Sequence, residues 1–533
     1  MTRFAVALTL AASLVAAPSP GQRLAETVEV RIIEVPVHVL DGSGQAVRGL
    51  LRGDFELRVN GEPHPIEYFE VLDIEAPEIP SAGEEGDADL RIRRRTLILF
   101  DLVFGSLRGI TLGAKATEDY IRTAHSDDLI AVATYRTRGI EYLTPFTRDR
   151  ALALLAVRTL KTLDSGDPLR LTMHPRLRVA VMDSFLDPGG RSDGAEAAPG
   201  WLGAVGVPLD DIGDMGPRPF FSDDALVSEM AAEHGARFVR AQIRAVRSIA
   251  EDLAPLDGQK QLLILSEGFE SNSLLRDPSL WQEYLALQNT VRRNGVILHT
   301  LNTAPIGRTL TTNRGQSLFA LAHESGGLAL ANRNQIAGHF EAFRKSQTVT
   351  YLLAFRPPDT AKPGTNAIEV RLREKERSWR VLARRAFAGT GDALAQTENS
   401  VNLELAEIIL DGIRRDDVRL SLRATSSSAG EVVEATLPAV DLLVAEKPDS
   451  IRAWLLTYVF EAGEIREMKS RHLGLDLNRL HGDIESDGDP FGTARLRFRE
   501  TFDLPPGRYE IRALFRLMDQ DVVGFASAPL VVE

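Results

Sequence analysis

The 533-residue chain contains no cysteine. That excludes disulfides, thiolate zinc sites, iron–sulfur clusters and cysteine nucleophiles together. It also lacks an excess of positive charge: 62 Lys and Arg face 75 Asp and Glu, a formal net charge of −13. A surface of that sign does not suit sequence-independent binding to nucleic-acid phosphates, so no nucleic-acid partner is expected. Aromatic residues are only 6% of the chain. After the N-terminus no apolar run approaches the roughly 18 residues of a membrane helix, so no membrane-spanning segment is expected beyond it. There is no Gly-x-Ser-x-Gly elbow and no Gly-Lys-Ser/Thr phosphate loop. His323-Glu324 lacks the second histidine of a zinc protease motif.

What is present is ordinary globular composition, 44% hydrophobic and 26% charged, in a chain long enough for several domains. Arg3 followed by the apolar run Phe4–Ala17 and the break Pro18-Ser19-Pro20 predicts an export signal over residues 1–22, hence a periplasmic, cell-surface or extracellular protein. Alternating β-branched segments over 25–73, with the Asn60-Gly61 turn, predict a small β-sandwich-like module. A Glu/Pro/Ala/Gly-rich linker follows over 74–92. From 93 to 358 apolar runs alternate with helical periodicity. This predicts an α/β domain with a doubly wound, mainly parallel, Rossmann-like sheet, interrupted by a Gly/Pro/Asp-rich insertion over 186–224. The run Val349–Phe355 is expected to be its last strand, Thr147 to cap the helix through Leu160, and Val239, Ile243, Val246, Ile249 and Leu253 to form one helix face. A β-hairpin extension is expected over 359–390, and mainly short strands forming a C-terminal β-sandwich over 400–533.

In an open α/β sheet, ligands bind beyond the carboxyl ends of the strands. Two runs end there in carboxylates, Asp101 after 96–100 and Glu267 after 261–266, with Ser106, Ser266, Ser271 and Ser273 close by. Hard oxygen ligands so grouped suit Mg²⁺ or Ca²⁺. The plainer reading makes both carboxylates caps for the turns that follow. Elsewhere, His481–Asp489 has the alternating acids of a calcium loop, but its terminal ligand position is Ala494, so a solvated acidic loop is favoured. His299 lies within an apolar strand and reads as a hydrogen-bonded core residue; Arg91, Arg93, Arg94 and Arg95 read as a solvated linker end.

Several stretches in order resemble the von Willebrand factor type A domain, and more narrowly the VWFA-related proteins abundant in acidobacteria. They are Thr96–Asp101, Leu262–Phe269, Leu321–Gly327, Tyr351–Pro357 and, in the leading module, Val35–Val39, Val47–Leu50, Asp54–Leu57 and Asn60-Gly61. The likeness spans residues 28–388. It implies a metal-ion-dependent adhesion site of pattern Asp-x-Ser-x-Ser with a distant Thr and an Asp, where a partner's carboxylate completes the metal's coordination. Here Val103 and Gly105 stand at the serine positions, Ser106 is one residue out of register, Glu267 replaces the Asp, and Thr172 is the nearest stand-in for the Thr. Asp101, Ser106 and Glu267 are therefore the candidate metal residues of a degenerate site, with Mg²⁺ or Ca²⁺ or no cofactor at all. The expected function is a secreted, non-catalytic binding or adhesion protein with a protein ligand. The alternatives are a metal-assisted hydrolase built on Asp101 and Glu267 and a structural envelope component.

Overall fold

The computed structural model describes residues 32–533 except 76–93, 137–138, 163–223, 270, 305–313, 332–335, 359, 375–377, 390–394, 414, 428–429, 443–449, 477–494 and 519–521. The expected signal peptide, most of the linker, all but the last residue of the 186–224 insertion, Thr172, Arg91, Arg93 and the loop His481–Asp489 lie outside the described residues.

The expected doubly wound, mainly parallel α/β architecture does not describe this chain. Among the described residues strand outweighs helix, four of the five sheets are wholly antiparallel, and the fifth is mixed. That mixed sheet has six strands: β5 (Arg94–Asp101), β6 (Leu129–Arg136), β7 (Gly139–Thr147), β8 (Gln259–Ser266), β9 (Val296–Asn302) and β10 (Ala329–Leu330). Their order is β10-β9-β8-β5-β6-β7, with β7 running antiparallel at one edge.

Alternate residues of β5, β6 and β8 feed two cores. Leu97, Leu99, Ala131, Ala133, Leu262 and Ile264 pack against α3 (Asp224–Leu253), α5 (Pro278–Arg293) and α6 (Arg314–Ser325). Ile98, Phe100, Ile130, Val132, Leu263 and Leu265 pack against α1 (Leu107–Thr123), α2 (Arg150–Thr162) and α7 (Ile336–Ser346). On α3 the residues Val239, Ile243, Val246, Ile249 and Leu253 are all buried, as one 3.6-period stripe requires. A short helix, α4 (Asn272–Arg276), leads from β8 into α5, which Asp277 caps by accepting from Ser279 N and Leu280 N. The cap of α2 is Asp149, not Thr147: Asp149 Oδ1 accepts from Ala151 N at 2.8 Å and Leu152 N at 3.1 Å. Thr147 sits two residues earlier and accepts from Asp149 N at 3.0 Å.

The run Val349–Phe355 is β11, and it is not part of the mixed sheet. It pairs antiparallel with β1 (Ile33–Leu40) and β4 (Tyr68–Asp73), and β13 (Arg380–Ala383) completes that sheet. A second antiparallel sheet joins β2 (Phe55–Val59), β3 (Glu62–His64), β12 (Thr365–Leu372) and β14 (Ala386–Ala388). Val35, Val37, Phe55, Leu57, Tyr351, Leu353, Ile368 and Phe387 share one core, so segments expected to be separate, 25–73 and 359–390, build a single sandwich together with β11. The reason for the discrepancy is physical. A short run buried on both faces looks the same in sequence whether its neighbours are parallel or antiparallel.

Arg94 and Arg95 are not a solvated linker end. Both begin β5 and pair inward: Arg94 with Asp128, and Arg95 with Glu407 through two 2.9 Å contacts. Glu407 belongs to α8 (Glu398–Asp411), a helix where strands were expected. Thr397 caps it by accepting from Ser400 N at 3.0 Å, and Gly412 ends it at φ 65°. Beyond α8 lie two antiparallel sheets. One holds β15 (Ser421–Ser427), β16 (Gly430–Pro438) and β19 (Arg495–Phe502). The other holds β17 (Ser450–Glu461), β18 (Glu464–Asp476), β20 (Gly507–Leu517) and β21 (Val522–Val532).

The turn between α6 and β10 depends on Gly326, which has φ 86° and where a β-carbon would lie 2.0 Å from the Ala383 carbonyl oxygen. Replacing Gly326 with alanine therefore combines a left-handed backbone with a collision that only backbone movement relieves. The expected cost is about 2 kcal/mol, read as a lower denaturant midpoint with unchanged slope. An unaltered midpoint would mean that the turn adapts freely.

Candidate functional site

The apolar residues Leu97–Phe100 are buried on both faces of the sheet, so β5 carries Asp101 to its carboxyl rim as its last residue. The neighbouring parallel strand β8 ends at Ser266, which puts Glu267 on the same rim. The structure thus brings the three sequence candidates Asp101, Ser106 and Glu267 together on one rim.

Asp101 is 1% exposed and accepts four hydrogen bonds. Its Oδ1 takes the backbone N–H groups of Val103 at 3.0 Å and Phe104 at 2.9 Å. Its Oδ2 takes the Ser266 hydroxyl and the Gln242 side-chain amide, each at 2.6 Å. Burial is the main cause of a raised Asp101 pKa; the Ser266 hydroxyl and the two backbone donors oppose it, and the negative charge of Glu267 adds to the rise. Ser266 Oγ in turn accepts from Gly268 N at 2.9 Å, where Gly268 has φ 77°. Glu267 Oε1 accepts from Ser106 N at 3.0 Å. Ser106 Oγ caps α1 by accepting from Gly109 N at 3.1 Å.

These partners decide whether a divalent cation fits. Mg²⁺ requires about six oxygen ligands in near-octahedral geometry. Both oxygens of Asp101 already face two donors each, and the Ser106 oxygen is committed to a helix cap. Gly105 stands at the second serine position of the adhesion pattern. A β-carbon there would lie 2.4 Å from the Asp101 carbonyl oxygen, so this backbone cannot present a serine ligand. Among the described residues no three His, Asp or Glu side chains converge as metal ligands. The donor set on this rim does not fit a divalent ion.

Sequence reasoning missed two members of the rim. Gln242 lies on the buried stripe of α3, between Val239 and Val246, and its signal was a polar residue where the 3.6 period calls for an apolar one. Tyr135 is the strand partner of Asp101 across the β5–β6 pair. Burial, reinforced by the Asp101 charge, raises the Tyr135 phenol pKa. The Gln242 Oε1 atom and the Tyr135 hydroxyl are buried without a hydrogen-bond partner among the described residues.

Two flanking elements expose apolar side chains. Leu275 on α4 is 76% exposed and Phe319 on α6 is 59% exposed. The segment after β8 is tied to α6 where Phe269 N donates to Ser317 Oγ at 3.2 Å.

No protein-family model matches this chain, and no curated protein matches it either.

Proposed function

We propose that this chain is an exported, non-catalytic binding protein that recognises a protein ligand at the carboxyl rim of its mixed sheet. The carrying observation is how the rim is used. Asp101 is spent on four internal donors, so it is not placed as a base, nucleophile or metal ligand, while Leu275 and Phe319 project apolar surface from the elements beside it. Exposed apolar surface beside a polar rim is the usual make-up of a protein interface. The likeness of the β5 and β8 segments to von Willebrand A domains supports the same placement. The basic start and apolar run at Arg3–Ala17 support export.

The test is capture from envelope and extracellular fractions by the immobilised full chain, with and without Leu275→Asp plus Phe319→Asp. Wild type is expected to retain a discrete protein, and the double variant at least about tenfold less of it with an unchanged circular dichroism spectrum. Equal retention by both, or none by wild type, overturns the reading.

A further inference from the structure

We propose that the outward face of the β15-β16-β19 sheet docks an extended acidic segment of a protein partner, with carboxylates at alternate positions. This face belongs to a different sheet from the rim and does not depend on the reading given to the rim. It begins in the run Arg495-Leu496-Arg497-Phe498-Arg499 of β19. A strand sends alternate side chains to opposite faces. Phe498 enters the core and Leu496 packs against it, while Arg495, Arg497 and Arg499 all stay exposed.

Register builds the rest of the face. Strand β16 pairs with both neighbours, which sets Arg423, Glu434 and Arg499 in one row and Ser421, Thr436 and Arg497 in the next. Residues directly opposite in an antiparallel pair share a face. The alternate residues Val433, Ala435 and Leu437 of β16 are buried on the other side. The outward face therefore carries four arginines, Arg495 included, against the one acid Glu434. Arg499 is 70% exposed and reaches Glu434 at 3.4 Å. Arg423, Arg495 and Arg497 have no acidic partner among the described residues. In a chain of net charge −13 this is a local reversal of sign.

The same geometry selects the occupant. Alternate residues of a strand repeat about every 6.8 Å, the interval between every second residue of any extended peptide. Acids at every second position of such a peptide therefore meet Arg495, Arg497 and Arg499 in step. That interval is shorter than the screening length of about 8 Å at physiological salt, so the three positive fields overlap. Each guanidinium fork can take a carboxylate through two parallel bonds. The paired rows hold no aromatic ring on which bases could stack, and no large apolar side chain to enter a lipid surface. Lys469 and Arg471 of β18 donate to the carbonyl oxygens of Thr501 and Arg499, so side chains already occupy the outer edge of β19. The acidic segment thus lies over the face and does not extend the sheet as a further strand.

The experiment is fluorescence anisotropy of labelled, capped peptides titrated with the full chain at constant ionic strength. One peptide alternates glutamate with threonine; its isomer has the same glutamates contiguous; a third carries glutamine throughout in their place. The alternating peptide is expected to bind saturably and at least about tenfold more tightly than the isomer, and the glutamine peptide not at all. Arg495→Gln with Arg497→Gln is expected to weaken the alternating peptide at least about tenfold with an unchanged circular dichroism spectrum, because both side chains are exposed. Arg244→Gln with Arg466→Gln removes as much charge from exposed positions elsewhere and is expected to leave binding unchanged. Equal affinity for the two isomers, or an equal loss in that control, would reduce the effect to general charge attraction and overturn the proposal. Absence of binding by every peptide overturns it as well, and so does tighter binding of polygalacturonate or oligothymidylate, which would give the face to a polysaccharide or a nucleic acid. Changing Asp483, Glu485, Asp487 and Asp489 to their amides tests the chain's own acidic run as the occupant. Unchanged peptide affinity is expected, and a rise of about tenfold would assign the face to that run instead.

Discussion

Replacing Glu407 with alanine is expected to destabilise the chain by about 3–5 kcal/mol. The Arg95 and Glu407 side chains are 3% and 2% exposed, and they meet in a two-pronged contact with both N···O distances at 2.9 Å. Arg95 also donates to the Asp257 carbonyl oxygen, which keeps the guanidinium in place when its partner is lost. The truncation therefore leaves a positive charge buried against α8 without its paired carboxylate. The measurement is the denaturant midpoint of the full chain. A companion variant, Arg95→Met with Glu407→Leu, removes both charges while keeping volume, and most of the stability is expected to return. A loss below about 1 kcal/mol for Glu407→Ala would show that water reaches the pair.

Acid is expected to weaken the same region through two buried histidines. His38 Nδ1 lies 3.1 Å from the Val349 carbonyl oxygen and Nε2 lies 3.0 Å from Gln259 Nε2, so the neutral ring donates from Nδ1 and accepts at Nε2. His299 Nδ1 accepts from Leu328 N at 3.1 Å, and its ring meets Phe343 edge-on at 4.9 Å. In each ring the remaining basic nitrogen already faces an N–H, so an added proton would point donor at donor. Burial pushes His38 down to about 4 and His299 down to about 3, from an ordinary 6.5. Between those values and 6.5 the unfolded chain binds protons that the folded chain refuses. Stability is therefore full above pH 6.5 and falls as the pH drops toward the folded values, by on the order of 3 kcal/mol per histidine. Asp411 acts in the opposite sense. Burial pushes it up to about 6, so its contribution weakens as the pH rises through the interval from 3.8. The diagnostic is thus a difference between stability–pH curves: His38→Gln with His299→Gln is expected to flatten the fall below pH 6.5. Curves running parallel to wild type would refute the assignment.

The uneven legibility of this fold follows from which forces act locally. The apolar runs ending at Asp101 and Ser266 are local signals, and both become adjacent strands of the mixed sheet. Helix α8 was hidden because Val401-Asn402-Leu403-Glu404-Leu405 alternates like a strand. Its true signals were terminal, the Thr397 cap and Gly412, while tertiary burial of Asn402 and Glu407 overrode the expected polar face. The sheet partners of β11 could not be read at all, because Tyr351 pairs with Val37 and Val71, hundreds of positions away. The rim shows the same division. Asp101, Ser106 and Glu267 stand at local boundaries, whereas Gln242 reaches Asp101 from a helix distant in sequence.

The leading sandwich closes only when β11 to β14 have been made, because its two sheets draw on residues 33–73 and 349–388. Everything between them, the whole mixed sheet included, leaves the ribosome first. Throughout that interval β1 and β2 lack partners that cover their apolar faces. Apolar strands that wait for distant partners are open to aggregation until those partners arrive.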